Sequence, residues 1–196
     1  MDIVHCIDNS YVAQCGVTIT SVCVNNVNEV ILFHILTTNL SIFNREMLKK
    51  IVDKYRQKII FYNVDEYLLN KCPLREGDHV SLATYFRILM PDILPKSLNK
   101  VLYLDCDLVV CKNIKRLWDT DISTHSLGAV YDGGTDDIRT YNRLKYDIRQ
   151  GYFNAGVLLV NLAYWREFHI SNKLLKFIEQ YPERLMFWDQ DALNSV

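Results

Sequence analysis

The sequence has 196 residues and a mass of 23.0 kDa, a length typical of one domain. Apolar residues make up 49% and charged residues 23%, which excludes a disordered or low-complexity chain and provides a core without disulfide bonds. With 22 basic and 23 acidic residues the net charge is −1, so no basic excess exists to follow a phosphate backbone. Nucleic acid is therefore not an expected partner.

Targeting and redox features predict a cytoplasmic protein. No apolar stretch reaches the roughly 18 residues of a membrane-spanning helix, so no transmembrane segment is predicted. The amino terminus, Met1 to His5, lacks a positively charged region, which argues against a secretory signal. The cysteines form no CxxC pair and mostly lie in apolar runs, as reduced cytosolic thiols do: Cys6, Cys15, Cys23, Cys72, Cys106 and Cys111.

Strands and helices are predicted to alternate through the first half of the chain. Apolar, β-branched runs predict strands over residues 2–8, 30–37 and 58–64. Residues 17–24 are predicted to be helical. Asn44 is predicted to cap a second helix that runs to about Gln57, with basic residues near its end.

The second half continues the alternation. Residues 81–90 show helical spacing, and Pro91 is expected to end that helix. Strands are predicted over 101–104, 126–131 and 156–161. Ser171 is predicted to cap a helix that stops before Pro182, and the residues from Asp189 onward resemble the opening of another helix. This alternation predicts an α/β fold with a mostly parallel sheet.

Three aspartates, Asp8, Asp105 and Asp132, stand at the ends of predicted strands, where ligands bind in such sheets. The strongest motif is Asp105-Cys106-Asp107, because side chains at i and i+2 of a strand point to one face. Two carboxylates at one point repel each other unless a cation neutralises them, and hard oxygen ligands suit Mg²⁺ or Mn²⁺ with phosphate. The alternative is a solvated turn in which one aspartate caps backbone N–H groups.

Two enzyme classes use this motif. One is a metal-dependent nucleotide-sugar transferase. The other is an aspartyl-phosphate phosphatase with Asp105 as nucleophile and Asp107 as general acid, although that class usually carries the motif near the amino terminus. A related pyrophosphorylase is disfavoured because residues 8–16 contain no Lys or Arg, and a dinucleotide dehydrogenase because no GxGxxG follows the first strand.

The surrounding sequence resembles the retaining glycosyltransferases of family 8, and among them the bacterial lipopolysaccharide galactosyl- and glucosyltransferases. The matching blocks are residues 1–11, 81–91, 100–107, 117–121, 152–161, 165–166 and 189–194. The resemblance implies a single GT-A domain over residues 1–196, with a mixed, mostly parallel sheet flanked by helices. It implies metal-dependent transfer, with retention, of galactose or glucose from UDP-galactose or UDP-glucose to a hydroxyl of a cell-surface glycan.

Site residues follow from the same resemblance. Asp105 and Asp107 would hold Mn²⁺ or Mg²⁺. Asp132 and Asp189 would contact the donor sugar, and Gln190 would stabilise charge on an oxocarbenium-like centre; a double displacement through Asp132 or Asp189 stays open. The nucleotide sugar would be bound by Asp8, Ser10, Tyr11, Arg87, Asp105, Cys106, Asp107, Asn154 and Ala155.

Several features leave alternatives open. Ser10 stands where the family often has Asn, and Arg87 either contacts the donor or forms a structural ion pair. The family supplies a histidine ligand, a phosphate loop and a membrane-associating end from a C-terminal segment that this sequence does not include. We therefore expect a truncated chain with weaker metal and UDP affinity, and a non-catalytic nucleotide-sugar-binding remnant is the alternative.

Other polar residues are assigned ordinary roles. The segment from Asp136 through Arg143 either folds over the donor or is a charged surface loop. The histidines match no metal motif of the family and are expected in strands, loops or on the surface: His5, His34, His79, His125 and His169.

Overall fold

The computed structural model describes residues 1–75, 77, 81–135 and 137–196. His79 and Asp136, both considered above, lie outside these ranges. The strands are β1 (Asp2–Cys6), β2 (Leu32–Thr37), β3 (Lys58–Asn63), β4 (Lys100–Leu104), β5 (Leu127–Tyr131) and β6 (Phe153–Asn161). The helices are α1 (Val12–Asn25), α2 (Ile42–Lys54), α3 (Met90–Ile93), α4 (Lys115–Trp118), α5 (Ile138–Leu144), α6 (Leu162–Glu167), α7 (Ile170–Gln180) and α8 (Trp188–Ser195).

The strands form one mixed sheet in the order β3-β2-β1-β4-β6-β5. The pairs β1–β2, β2–β3 and β1–β4 are parallel, whereas β6 runs antiparallel to both β4 and β5. The carboxyl ends of β1, β4 and β5 therefore meet the amino end of β6 at one edge. This arrangement confirms the predicted mixed, mostly parallel sheet flanked by helices.

Both faces of the sheet are buried, which explains the continuous apolar strand runs in the sequence. Side chains alternate between faces, so neighbours in one strand enter different cores. Ile3 and Leu102 pack with α1 and α2 on one face, and Val4 and Tyr103 pack with α6, α7 and the 3-10 helix Leu82–Leu89 on the other. Within the described ranges, no helix is both long and apolar enough to cross a bilayer.

Two predicted helix caps are wrong. Helix α2 begins after Ser41, whose Oγ accepts from the backbone N–H of Asn44 at 3.1 Å, so Asn44 lies inside the first turn. Helix α7 begins after His169, and Ser171 lies inside its first turn. The Ser171 hydroxyl donates to the carbonyl of Ile88 at 2.6 Å and so joins α7 to the 3-10 helix.

The segment predicted as a helix over residues 81–90 is helical, but the type of helix and its end differ from the prediction. Ser81 caps a 3-10 helix, Leu82–Leu89, rather than an α-helix. Pro91 does not end it but lies in the first turn of α3, where a missing backbone N–H costs no hydrogen bond. The segment is buried without a break from Tyr85 to Leu89, so it enters the core on all sides and not only on an apolar face.

His5 lies in β1 and is fully buried. Its Nδ1 is 2.8 Å from the carbonyl oxygen of Leu104, and because a carbonyl only accepts, the ring proton is assigned to Nδ1. Nε2 has no partner among the residues that the structure describes. Burial lowers the pKa of His5 from 6.5 to about 4, although the Leu104 carbonyl and Asp105 act in the opposite direction.

We expect the free energy of unfolding to fall as the pH drops from about 6.5 to about 4. In this window the unfolded chain binds a proton at His5 that the folded chain does not, and the two pKa values correspond to a loss of roughly 3 kcal/mol. Urea unfolding across this pH range measures the slope. His5→Asn should flatten it, whereas the same change at the exposed His125 should not; an unchanged slope in His5→Asn would refute the assignment.

Candidate functional site

Polar side chains converge at the predicted edge of the sheet, where two cavities adjoin. The first, of about 150 Å³, is lined by Asp8, Tyr11 and the Asp105–Asp107 turn. The second, of about 330 Å³, is lined by Asp132, Thr135, Phe187 and Trp188. It is also lined by the remaining residues predicted for the sugar site: Asn154, Ala155, Asp189 and Gln190. Thr84, Arg87 and Asp105 line both cavities and form their common wall.

Asp8 shapes the outer end of the first cavity. Its Oδ1 accepts from the backbone N–H of Ser10 at 2.8 Å and so caps a 3-10 turn that turns Tyr11 toward the cavity wall. Ser10 itself lines a neighbouring groove and not this cavity. Asn9 is engaged with Asn39, Ser41 and Asn44, so it does not replace the asparagine that the family often has at position 10.

Asp105 is fixed by its own contacts. Its Oδ1 accepts from the hydroxyl of Tyr103 at 2.6 Å and lies 3.2 Å from Nη2 of Arg87. Its backbone N–H donates to the carbonyl of Gly156 at 2.8 Å. A Cβ on Gly156 would lie 2.8 Å from Asp105 Oδ2, so only glycine permits this approach of β6 to the carboxylate.

Asp105 and Asp107 both border the first cavity, but not for the reason predicted. Strand β4 ends at Leu104, and the two aspartates lie in the turn that follows, so strand alternation does not bring them together. The Asp107 side chain is exposed, and no described residue donates a hydrogen bond to its carboxylate.

The donor set fits a hard divalent cation. Two carboxylates border a cavity that is open to solvent, and phosphate oxygens and water commonly complete such coordination shells. No group of three His, Cys, Asp or Glu side chains in the described part of the chain is arranged to hold a metal. Burial, with Asp107 and Asp105 nearby, raises the pKa of Cys106 to about 12, so its thiol is protonated at neutral pH.

Arg87 forms the ion pairs that the sequence left as one of two options, and it also borders both cavities. Its Nε is 2.9 Å from Asp189 Oδ2, and its Nη1 donates to the carbonyl of Ala155 at 2.5 Å. The guanidinium carbon lies 4.4 Å from the centre of the Tyr103 ring. Burial opposes the charge, but the carboxylates of Asp189 and Asp105, together with Tyr103, outweigh it and raise the pKa of Arg87. The guanidinium is therefore a permanent positive charge between the cavities.

Asp189 is buried beneath the second cavity. Thr84 donates to its Oδ1 at 2.7 Å, and Arg87 lies beside its Oδ2. Burial raises the pKa of Asp189, while Arg87 and the Thr84 hydroxyl act in the opposite direction. Oδ1 of Asp189 is therefore hydrogen-bonded by Thr84, whereas its Oδ2 has no hydrogen-bond donor in the described part of the chain and is compensated by the charge of Arg87.

The amide of Gln190 is held in one orientation. Its Oε1 accepts from the backbone N–H of Ala155 at 2.9 Å, and its Nε2 lies 3.2 Å from Asp132 Oδ2 and 3.3 Å from the hydroxyl of Tyr152. That hydroxyl donates to Asp191 at 2.8 Å, so toward Gln190 it acts as an acceptor. This polarity assigns Nε2 to the Tyr152 side and Oε1 to Ala155.

Sequence reasoning gave no role to Asp191 and did not predict its contact with Tyr152, although both residues lie within matched blocks. Asp191 is fully buried and accepts from the backbone N–H groups of Met186 and Phe187, at 2.6 and 2.7 Å. Arg143 donates to both of its oxygens, at 2.7 and 3.1 Å. The sequence signal that could have identified Asp191 is a charged residue that helical spacing places among the apolar positions of α8.

The segment predicted as a loop over the donor is partly helical. Asp137 accepts from the N–H groups of Arg139 and Thr140 and caps α5. Arg143, near the end of α5, is committed to Asp191. The described part of this segment is therefore anchored to α8, which carries Gln190.

Three comparisons with known proteins agree. The profile of glycosyl transferase family 8 matches residues 2–196. General stress protein A of Bacillus subtilis (strain 168) is 30% identical over 200 residues, covering 100% of this chain and 68% of that protein. The lipopolysaccharide 1,3-galactosyltransferase of Salmonella typhimurium is 28% identical over 198 residues, covering 98% of this chain and 58% of that protein. The chain thus spans only part of the length of these relatives.

The solved structures give the fold. The galactosyltransferase LgtC, in complex with donor and acceptor sugar analogs, superimposes with a TM-score of 0.93 at 33% identity, over 100% of this chain and 70% of LgtC. This match confirms the GT-A fold that the sequence resemblance implied.

Proposed function

Because the chain belongs to glycosyltransferase family 8, we propose that it binds a UDP-hexose across the two adjoining cavities and transfers the hexose to a glycan hydroxyl. The observation that supports this most directly is the common wall of Thr84, Arg87 and Asp105. A tyrosine and a carboxylate pair lie on one side of it, and sugar-binding amides and carboxylates lie on the other. One extended ligand with a diphosphate at its centre suits this arrangement.

The nucleotide would occupy the first cavity. Tyr11 offers an aromatic face to the base, and Asp8 offers an acceptor to uracil or ribose, as the family resemblance implies. Asp105 and Asp107 would hold Mn²⁺ or Mg²⁺, which supplies stabilisation of the negative charge on departing UDP. Arg87 adds a fixed positive charge between the cavities, where the diphosphate would join the sugar.

The hexose would occupy the second cavity. Asn154 and Asp132 provide hydrogen-bonding groups for its hydroxyls at the cavity wall. Asp189 contributes from below, and because it is buried and ion-paired with Arg87, binding suits it better than nucleophilic attack. Oε1 of Gln190 retains a second lone pair beyond its bond to Ala155, which is available to an oxocarbenium-like centre. We therefore favour a front-face route with retention.

The relatives suggest the class of acceptor and donor. The Salmonella relative is named as a lipopolysaccharide 1,3-galactosyltransferase, and a relative of 29% identity from Escherichia coli as a lipopolysaccharide 1,2-glucosyltransferase. We propose UDP-galactose or UDP-glucose as donor and a lipopolysaccharide or other cell-surface glycan as acceptor. We further propose that residues 1–196 act as one GT-A domain in the cytoplasm.

Calorimetric titration with UDP, with and without Mn²⁺, tests the proposal. We expect affinity to rise at least about tenfold with the metal, because the carboxylate pair gains the diphosphate as a shared ligand partner. Uridine, which has no diphosphate, should show no metal effect and serves as the control. Equal UDP affinity with and without Mn²⁺ in a folded sample would refute the metal-dependent site, and release of phosphate from a phosphomonoester would instead favour the phosphatase reading of Asp105.

A further inference from the structure

The backbone of the segment that follows β4 is held by side chains of helix α1 instead of by a neighbouring strand. Beyond the bond from Asp105 to Gly156, residues 106–114 contain no strand, so their backbone groups are not satisfied by pairing within the sheet. Side chains along one edge of α1 bind them instead, at positions three and four residues apart. Ser21 accepts from the N–H of Val110 at 2.9 Å, and Asn25 donates to the Val110 carbonyl at 2.8 Å. Helix α1 thus acts in place of a neighbouring strand.

Thr18 is the member of this edge nearest the carboxylate pair. It is fully buried, and its Oγ1 lies 2.7 Å from the carbonyl oxygens of both Cys106 and Leu108. These two carbonyls belong to the residues that precede and follow Asp107 in the chain. A hydroxyl has one proton to donate, so the two carbonyls share it and are drawn toward the same point. The backbone on each side of Asp107 is thereby fixed to α1.

The two carboxylates of the pair are oriented by different means. Asp105 is fixed through its side chain, by Tyr103 and Arg87. Asp107 is exposed and has no such contact among the described residues, so its backbone alone sets its position. We propose that Thr18 is a positioning residue that fixes Asp107 for divalent-cation binding by holding the carbonyls of Cys106 and Leu108. This inference rests on the metal-dependent function proposed above.

Substitutions at Thr18 distinguish the effect of its hydroxyl group from the effect of its packing. Thr18→Val keeps the shape and removes the donor, and Thr18→Ser keeps the donor. Thr20→Val is the matched control, because Thr20 lies on the same helix and its hydroxyl donates only within it, to the Gly16 carbonyl at 2.7 Å. In the presence of UDP, Mn²⁺ affinity is measured by electron paramagnetic resonance. We expect Thr18→Val to weaken it about tenfold, with wild-type affinity in Thr18→Ser and Thr20→Val.

A second readout needs no metal. Amide hydrogen exchange of the peptide containing residues 105–111 should accelerate in Thr18→Val and not in Thr20→Val. Faster exchange together with unchanged Mn²⁺ affinity would overturn the proposal, because Thr18 would then support the turn without positioning Asp107. If the wild-type chain itself fails to bind Mn²⁺ with UDP, the proposed function is refuted and the inference with it, so the two failures are distinguishable.

Discussion

Asp107→Asn is expected to weaken Mn²⁺-dependent UDP binding by roughly 100-fold or more, since loss of a direct ligand exceeds the 10- to 100-fold typical of outer partners. The same change should leave the free energy of unfolding within about 0.5 kcal/mol, because the Asp107 side chain is exposed. The substitution keeps size and polarity and removes only the charge. Calorimetry gives the affinity, and urea unfolding gives the stability.

The control for Asp107→Asn is Asp53→Asn, which removes an exposed carboxylate from α2 on a different part of the surface. It should change neither quantity. Metal-dependent binding that survives intact in Asp107→Asn would show that Asp107 is not a ligand. Asp105→Asn is a less clean test, because it also weakens the contacts with Tyr103 and Arg87 and is expected to reduce both binding and stability.

The sequence indicated where the site lies because that information is local. Strand runs and the polar residues that follow them can be recognised within a few positions, so Asp8, Asp105 and Asp132 were placed at one edge of the sheet correctly. The resemblance to the family added the residues of the second cavity. The placement of the three aspartates needed only the strand ends and the general rule that ligands bind beyond them.

What orients the site was not predictable from local patterns. Thr18 and Cys106 are 88 positions apart, and Tyr152 and Asp191 are 39 apart, so neither contact leaves a periodic signal. The strand over residues 101–104 is predicted correctly, but strand alternation does not extend to Asp105 and Asp107, because they lie in a turn that the apolar run before it gives no sign of. The cap predicted at Ser171 is wrong for a similar reason. Serine is a residue type that commonly caps helices, but here its hydroxyl donates to the carbonyl of Ile88, which is distant in sequence.

The site also depends on buried charge. Arg87 and Asp189 are both nearly inaccessible to solvent, at 6% and 2% exposure, and their mutual contact offsets a large part of the cost of burying the two charges. Removing one partner leaves the other charge uncompensated in the interior. The wall between the two cavities is thus a stability element, in addition to the binding role that we propose for it.

Arg87→Met should therefore lower the free energy of unfolding by about 3 to 5 kcal/mol, the usual cost of removing one member of a buried ion pair. Methionine retains much of the aliphatic volume, so a cavity is not the main cause. Urea unfolding measures the loss, and Arg116→Met, at an exposed position in α4, is the control. A loss below about 1 kcal/mol in Arg87→Met would contradict the buried-pair interpretation.

A double-mutant cycle identifies the partner of Arg87. Asp189→Asn removes the second charge, so the double variant should lose less stability than the sum of the two single variants, with a coupling energy of about 1 to 3 kcal/mol. Additive losses within about 0.5 kcal/mol would mean that the pair does not act as a unit. Stability and UDP binding need not recover together. The double variant should regain part of its stability without regaining donor binding, because Thr84 and Asp105 would border a wall that has lost its fixed positive charge.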